Sequence, residues 1–211
     1  MKNRIRTTSP SRRKRRTISA APDDATGDMR RVVVVGAPGS GKSTVAAVLA
    51  ERLGAAHIEL DELFHRPDWA PTPTPEFRAK VAAAIDVPRW VVAGNYVVTA
   101  DLTHARADTI VWLDLGRRHT IPRVAKRSIR RAVRREQLWN GNRERLRDVL
   151  HPKRSMIAEA WNVHRAHRAK FEQLSTTPLW AHADVHRFRT PSEVTEWLAS
   201  VQRAEDRDQL G

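Results

Sequence analysis

Residues 32–44 read VVVVGAPGSGKST, four consecutive valines followed by a glycine-rich loop. The β-branched run is typical of a strand that is buried on both faces of a parallel sheet. Residues 36–43 match the pattern G-x-x-x-x-G-K-[ST], and the amphipathic stretch after them predicts a helix that ends near Gly54. A strand, a loop and a helix in this order form the context that the pattern requires. The sequence therefore predicts a phosphate-binding loop, although a chance glycine-rich turn is the alternative.

The residue types of this loop suit a phosphate group. Glycines let the backbone approach an anion without Cβ clashes, so that successive N–H groups and the helix N-terminus can point at it. Lys42 is expected to reach the β and γ phosphates of ATP, and the Ser43 hydroxyl is expected to ligate Mg²⁺. The predicted nucleotide-binding residues are Gly36, Ala37, Pro38, Gly39, Ser40, Gly41, Lys42, Ser43 and Thr44.

Further strands and helices alternate along the rest of the chain. Strands are predicted at residues 55–60, 90–93, 109–113 and 183–188. A helix with Thr74 as its N-cap and Pro75 as its first residue would carry Phe77, Val81 and Ile85 on one face. Residues 190–193, TPSE, form a capping box for a last helix. This alternation predicts an α/β fold with a five-stranded parallel sheet flanked by helices. The carboxyl ends of parallel strands share one rim, so Asp61, residues 94–96 and Asp114 are expected beside the phosphate loop.

The formal net charge is +14, with 38 Lys and Arg against 24 Asp and Glu, a balance typical of nucleic-acid binders. Two segments carry the whole excess, residues 1–31 and residues 117–154. Residues 1–28 predict a disordered basic tail. The tail is either an arm that binds nucleic acid or acidic surfaces, or an extension that the domain does not need, because Met29 directly precedes the first strand. The predicted domain covers residues 29–204, and residues 205–211 are expected to form a flexible C-terminus.

Several classes of site and protein are excluded or disfavoured. The chain has no cysteine, which rules out disulfides, thiolate zinc sites and a cysteine nucleophile. No apolar run approaches the roughly 18 residues of a membrane helix, and we expect a cytoplasmic protein. His164 and His167 are the one histidine pair at close helical spacing and lack clustered acids, which argues against zinc.

The segments at residues 36–44, 60–64, 67–69, 90–96 and 110–114 together resemble the DNA topology modulation (FlaR-like) family. This family is similar to small P-loop kinases related to adenylate and shikimate kinases. The resemblance covers about residues 30–200. It implies an adenylate-kinase-like fold with an Arg-rich helical lid, binding of ATP and Mg²⁺, and phosphoryl transfer to a small-molecule acceptor, with a nucleoside or nucleotide as one candidate.

The chain departs from the family at Ala93, where the third strand usually ends in an aspartate that serves Mg²⁺. Either Asp61 does this work from the second strand, by holding a Mg²⁺ water or by taking the acceptor hydroxyl proton, or catalysis has decayed. A third interpretation is that Asp61 caps the following helix.

The second basic segment corresponds to the lid, at about residues 117–150. Arg123 and Arg127 match the lid positions best and are expected, with Lys42 and Asp61, to be catalytic, while Ser43 and Asp61 are the predicted metal residues. The predicted acceptor-binding residues are Arg66, Asn95, Tyr96 and Arg143, and His65 and Trp69 are further candidates. A solvated Arg-rich helix and a nucleic-acid-binding face are the alternatives, and the rival function is nucleotide-gated DNA binding.

Overall fold

The computed structural model describes residues 29–144 and 155–201. The predicted tail at 1–28, the end of the predicted lid at 145–150 and the C-terminal residues 205–211 lie outside the described residues. The strands are β1 (Arg31–Gly36), β2 (Ala56–Glu59), β3 (Trp90–Ala93), β4 (Thr109–Leu113) and β5 (Asp184–Phe188). The helices are α1 (Lys42–Leu53), α2 (Leu60–Phe64), α3 (Thr74–Ala84), α4 (Ala100–Thr103), α5 (Arg117–Arg134), α6 (Met156–Ser175) and α7 (Pro191–Ser200). Single 3₁₀ turns cover Pro67–Trp69, Val97–Thr99, Trp139–Gly141 and Pro178–Trp180.

The five strands form one parallel sheet in the order β2-β3-β1-β4-β5. Strand β1 lies at its centre, where Val34 is opposite Ala93 of β3 and Val111 of β4. The four valines of β1 are at most 1% exposed, because helices cover both faces of the sheet. The predicted five-stranded parallel sheet flanked by helices is confirmed, and the phosphate loop leaves the carboxyl edge of its central strand.

Two hydrophobic layers hold the helices against the sheet. On one face, Leu49 of α1 and Trp197 of α7 pack against the strand side chains that point to this side of the sheet. On the other face, the predicted stripe of Phe77, Val81 and Ile85 is 0% exposed and packs with Phe171 of α6. Burying a side chain of this size contributes about 1.5–3 kcal/mol, so these contacts fix the positions of the helices around the sheet edge.

The predicted ends of the strands lie within one residue of the observed ones. Thr74 is the first residue of α3 and Pro73 its N-cap, so the prediction of Thr74 as the N-cap is wrong by one residue. The second strand ends at Glu59, because Leu60 begins helix α2 and is buried against Gly94. The capping box of α7 is present, since the Thr190 hydroxyl accepts a hydrogen bond from the Glu193 N–H at 3.3 Å. The Glu193 carboxylate in turn accepts a hydrogen bond from the Arg189 N–H at 2.7 Å, one residue before the expected Thr190 N–H. None of the helices in the described ranges is long and apolar enough to cross a membrane.

Candidate active site

The loop between β1 and α1 is shaped by glycines and held by helix α5. Gly39 has a φ of 80°, and a Cβ there would lie 2.4 Å from the Thr120 carbonyl oxygen of α5. Gly41, with a φ of 95°, is the N-cap residue of α1 and offers no side-chain acceptor to the first turn. The free N–H groups of this helix N-terminus are therefore available to an anion.

A cavity of about 680 Å³ lies beside this loop, at the carboxyl edge of the sheet. This volume is within the usual range of about 300–1,000 Å³ for small-molecule sites. The loop contributes Pro38, Gly39, Gly41, Lys42, Ser43 and Thr44 to its wall. The cavity lining does not include Gly36, Ala37 and Ser40 of the predicted set.

Of the predicted site residues outside the loop, the structure brings five to the cavity: Asp61, Asn95, Tyr96, Arg127 and Arg143. The acceptor candidates His65 and Trp69 also line it. Arg66 and Arg123 do not, because Arg66 pairs with Glu76 and Arg123 is exposed on α5.

Asp114, expected at the same rim, lies outside the cavity wall. Its side chain is 3% exposed and lies 2.7 Å from Arg187 and 3.1 Å from Arg168. The carboxylate of Asp114 is therefore engaged in a buried ion-pair cluster that joins β4, β5 and α6.

Lys42 brings a buried ammonium group to the cavity wall. Its ammonium donates hydrogen bonds to the carbonyl oxygens of Gly36 at 2.9 Å and Ala37 at 3.3 Å. Burial lowers its pKa to about 8, Asp61 opposes this change and Arg127 adds to it. Within the described ranges Lys42 forms no ion pair with a carboxylate. A phosphate group would supply the missing negative charge.

Arg127 and Arg143 add further positive charge to the cavity. Burial, together with neighbouring Arg131, lowers the pKa of Arg127, which has no carboxylate partner in the described part of the chain. Arg131 is different, because its guanidinium lies 3.1 Å from the Glu144 carboxylate. Helix α5 thus brings to the cavity one arginine that has no ion pair in the described ranges, Arg127, and one that is paired, Arg131.

Asp61 and Tyr96 form a hydrogen-bonded pair across the cavity. The Tyr96 hydroxyl donates to the Asp61 carboxylate at 2.7 Å, and burial and the Asp61 charge raise the pKa of Tyr96. Tyr96 therefore stays protonated and keeps its donor. Asp61 does not hold the N-cap position of α2, which belongs to Glu59. The interpretation of Asp61 as the helix cap is therefore wrong.

Asn95 fastens the end of β3 to the start of the loop. Its side-chain amide donates to the Gly36 carbonyl oxygen at 2.7 Å and accepts from the Gly36 N–H at 3.3 Å. Both functions of the amide are used, so the described structure gives Asn95 a positioning role. Contact with an acceptor stays a prediction for this residue.

Glu59 is a cavity residue that the sequence reasoning missed. It ends β2, lines the cavity, and has a pKa that burial raises and a hydrogen bond from Ser43 lowers. His57 Nε2 lies 3.2 Å from its Oε1 atom. The available signal was an acidic residue in the last position but one of the predicted strand at 55–60, close to the rim where ligands bind.

The turn after α5 closes the cavity on the side of residues 64–69. The Asn142 amide donates to the Arg66 carbonyl oxygen at 2.9 Å and accepts from the Trp69 N–H at 2.9 Å. The rings of His65 and Trp139 lie 6.3 Å apart and 13° from parallel. The sequence placed this turn within the predicted lid at about residues 117–150, but it did not single out the Asn142 amide that holds the turn in place.

The parallel sheet, the glycine-rich loop and the cavity beside it define a P-loop nucleotide-binding protein. A family model described as an AAA domain matches residues 32–209, and the chain belongs to this family. Membership of the DNA topology modulation family stays a prediction.

Curated relatives include adenylate kinases from Rhodococcus erythropolis and Corynebacterium glutamicum. The first is 33% identical over 79 residues, which are 36% of this chain and 39% of the relative. The second is 36% identical over 69 residues, 33% of each chain. The chain thus spans less than half the length of these relatives. A solved shikimate kinase from Acinetobacter baumannii, in complex with shikimate, is 15% identical with a TM-score of 0.47, covering 86% of this chain and 92% of its own.

Proposed function

We propose that the chain is an ATP-dependent kinase that transfers the γ-phosphate of ATP to a small-molecule acceptor. The observation that carries this proposal is the buried Lys42 ammonium, which has no carboxylate partner in the described ranges and faces a cavity of about 680 Å³. Asp61 and Tyr96 line the same cavity, so a phosphate-binding cation and a candidate base share one space. The partial similarity to adenylate kinases supports the same reaction class.

The residues present fit a nucleotide and its metal. The N-terminal N–H groups of α1 and the Lys42 ammonium would hold the phosphates, while Arg127 and Arg143 would add positive charge. The exposed Ser43 hydroxyl would ligate Mg²⁺, and a cavity carboxylate would hold its water shell. When bound, Mg²⁺ neutralises charge on the β and γ phosphates.

The acceptor half of the cavity favours a planar, hydroxyl-bearing molecule. Aromatic rings form its wall, contributed by Phe64, His65, Trp69, Tyr96 and Trp139. Rings of this kind stack on nucleobases, so we propose a nucleoside or nucleotide as the acceptor. Asp61 would take the proton of the acceptor hydroxyl, and the hydrogen bond from Tyr96 would fix the orientation of its carboxylate.

The test is acceptor-dependent release of ADP by the full chain, with a panel of nucleosides, nucleoside monophosphates and shikimate. We expect turnover with one of the nucleosides or nucleotides, lost in Lys42→Ala and impaired in Asp61→Asn. Lys80→Ala is the matched control, because Lys80 is exposed and does not line the cavity. Its ammonium lies 2.9 Å from the Glu76 carboxylate. A panel without turnover above that of Lys42→Ala would contradict the kinase proposal.

The rival function, nucleotide-gated DNA binding, has no support in the cavity. The basic tail at residues 1–28 lies outside the described residues, so nucleic-acid binding by the tail stays a prediction. Removal of the tail, followed by DNA titration at several salt concentrations, separates an electrostatic contribution of the tail from one of α5.

A further inference from the structure

A P-loop protein normally carries the carboxylate that holds Mg²⁺ at the end of a strand next to the phosphate loop. Two strands flank β1, and neither provides such a group. Strand β3 ends at Ala93, whose methyl group cannot ligate a metal or its water. Just after β4, Asp114 is 3% exposed, paired with two arginines and outside the cavity wall.

The next strand outward places a carboxylate at the missing position. Glu59 of β2 is directly opposite Ala93 in the parallel register, and both residues line the cavity. Neighbouring strands lie about 4.8 Å apart, so a group on β2 must extend further to reach the loop than one on β3. Glutamate is one methylene longer than aspartate, and the Glu59 carboxylate is close enough to the loop to accept a hydrogen bond from Ser43.

The surroundings of Glu59 fit a metal-water ligand. Its side chain is 12% exposed, and the Ser43 hydroxyl lies close enough to stabilise the charged carboxylate. The Oε1 atom is buried and accepts no hydrogen bond of good geometry from the described residues, although His57 Nε2 is 3.2 Å away. An acceptor atom of this kind is available to a water molecule or a hydrated cation.

Asp61 is less suited to the same task. One of its carboxylate oxygens already accepts the hydrogen bond from the Tyr96 hydroxyl at 2.7 Å, which directs the group towards the acceptor side. Glu59 and Asp61 therefore have different neighbours, a loop serine for Glu59 and a tyrosine for Asp61.

We propose that Glu59 is the metal-side carboxylate of this site, holding the water shell of a Mg²⁺ ion at Ser43 in place of the acid that β3 lacks. Asp61 is then left to the acceptor. This assignment rests on the proposed function, because the metal arrives with the nucleotide phosphates. It also explains why Ala93 leaves the site complete.

The test is calorimetric titration of the full chain with ADP, once with Mg²⁺ and once with EDTA. The ratio of the two dissociation constants measures how much the metal strengthens binding, without any turnover. We expect a ratio of about tenfold or more for the wild type, a typical thermodynamic coupling between two ligands. Glu59→Gln should bring the ratio close to one and leave the affinity in EDTA within about threefold.

Three further variants make the result specific. Glu59→Gln combined with Ala93→Asp should restore the ratio, since the carboxylate returns on the neighbouring strand. Asp61→Asn and Glu62→Gln should both keep it, the latter as a control on an exposed residue outside the cavity wall. The affinity for ADP in EDTA shows whether each variant is folded. If the double variant does not fold, the comparison of Glu59→Gln with Asp61→Asn decides whether Glu59 is the metal-side carboxylate.

Two outcomes overturn the assignment. An unchanged ratio in Glu59→Gln, or a ratio lost in Asp61→Asn and kept in Glu59→Gln, contradicts the role of Glu59 while nucleotide binding stands. Absence of ADP binding by the wild type in both buffers contradicts the proposed function itself, and the assignment with it.

Discussion

Replacement of Lys42 by methionine should remove a pH dependence of stability that the buried ammonium creates. Burial lowers the pKa of Lys42 from 10.5 to about 8. One pKa unit corresponds to about 1.4 kcal/mol, so the charged ammonium destabilises the folded state by roughly 3 kcal/mol. Methionine has a similar length and no charge, so the variant carries no such cost.

The direction of this pH dependence follows from the pH at which Lys42 loses its proton in the folded and in the unfolded state. Below pH 8 the ammonium is charged in the folded and the unfolded state, and the folded state bears the full cost. Between pH 8 and pH 10.5 the folded protein releases the proton first, so the free energy of unfolding rises with pH. Above pH 10.5 Lys42 is neutral in both states and the cost has disappeared.

The assay is urea unfolding of the wild type and Lys42→Met at pH 7, 8, 9 and 10, followed by tryptophan fluorescence. The difference in free energy of unfolding, wild type minus variant, should rise by about 2.5 kcal/mol over this range. Lys80→Met is the control for the loss of a lysine charge, because Lys80 is exposed and does not line the cavity. A difference between wild type and Lys42→Met that stays within about 0.5 kcal/mol from pH 7 to pH 10 would refute the reasoning.

Three other substitutions separate catalysis, closure and loop geometry. Tyr96→Phe removes the hydrogen bond to Asp61, so we expect a turnover with the identified acceptor reduced about tenfold and an ADP affinity that calorimetry finds unchanged. Asn142→Ala removes the acceptor of the Trp69 N–H and a donor to the Arg66 carbonyl oxygen, so urea unfolding should show a loss of about 1–3 kcal/mol for the two hydrogen bonds. Gly39→Ala places a Cβ against helix α5 at a positive φ, and should lower the free energy of unfolding by about 2 kcal/mol or more. Gly116→Ala, with open space around its Cα, should cost less than about 1 kcal/mol in the same assay.

Local patterns were sufficient to predict the fold. The valine run, the glycine-rich loop and the Phe77, Val81 and Ile85 stripe each depend on neighbours along the chain, and each is found where it was predicted. The same holds for the capping box at the start of α7. These signals are short-range, because a strand that is buried on both faces or a helix with one buried face leaves its period in the sequence.

The candidate site depends on contacts that have no such period. Glu59 matters because the sheet order places β2 beside β3, and register between strands cannot be read from either strand alone. Asn142 matters because it meets Arg66 and Trp69, more than 70 residues away along the chain. Arg123 resembled a lid arginine by its position on α5, but Arg127, one turn further along the same helix face, lines the cavity, whereas Arg123 is exposed.

Helix α5 and the turn that follows it touch both halves of the cavity. Thr120 near the start of the helix packs against Gly39 of the phosphate loop, and Asn142 at the far end of the same segment is bonded to the acceptor side. If α5 and the following turn move when a nucleotide binds, the hydrogen bonds of Asn142 on the acceptor side of the cavity are expected to change as well. The free energies of binding of the two substrates are expected to be coupled, so that each ligand alters the affinity for the other by the same factor.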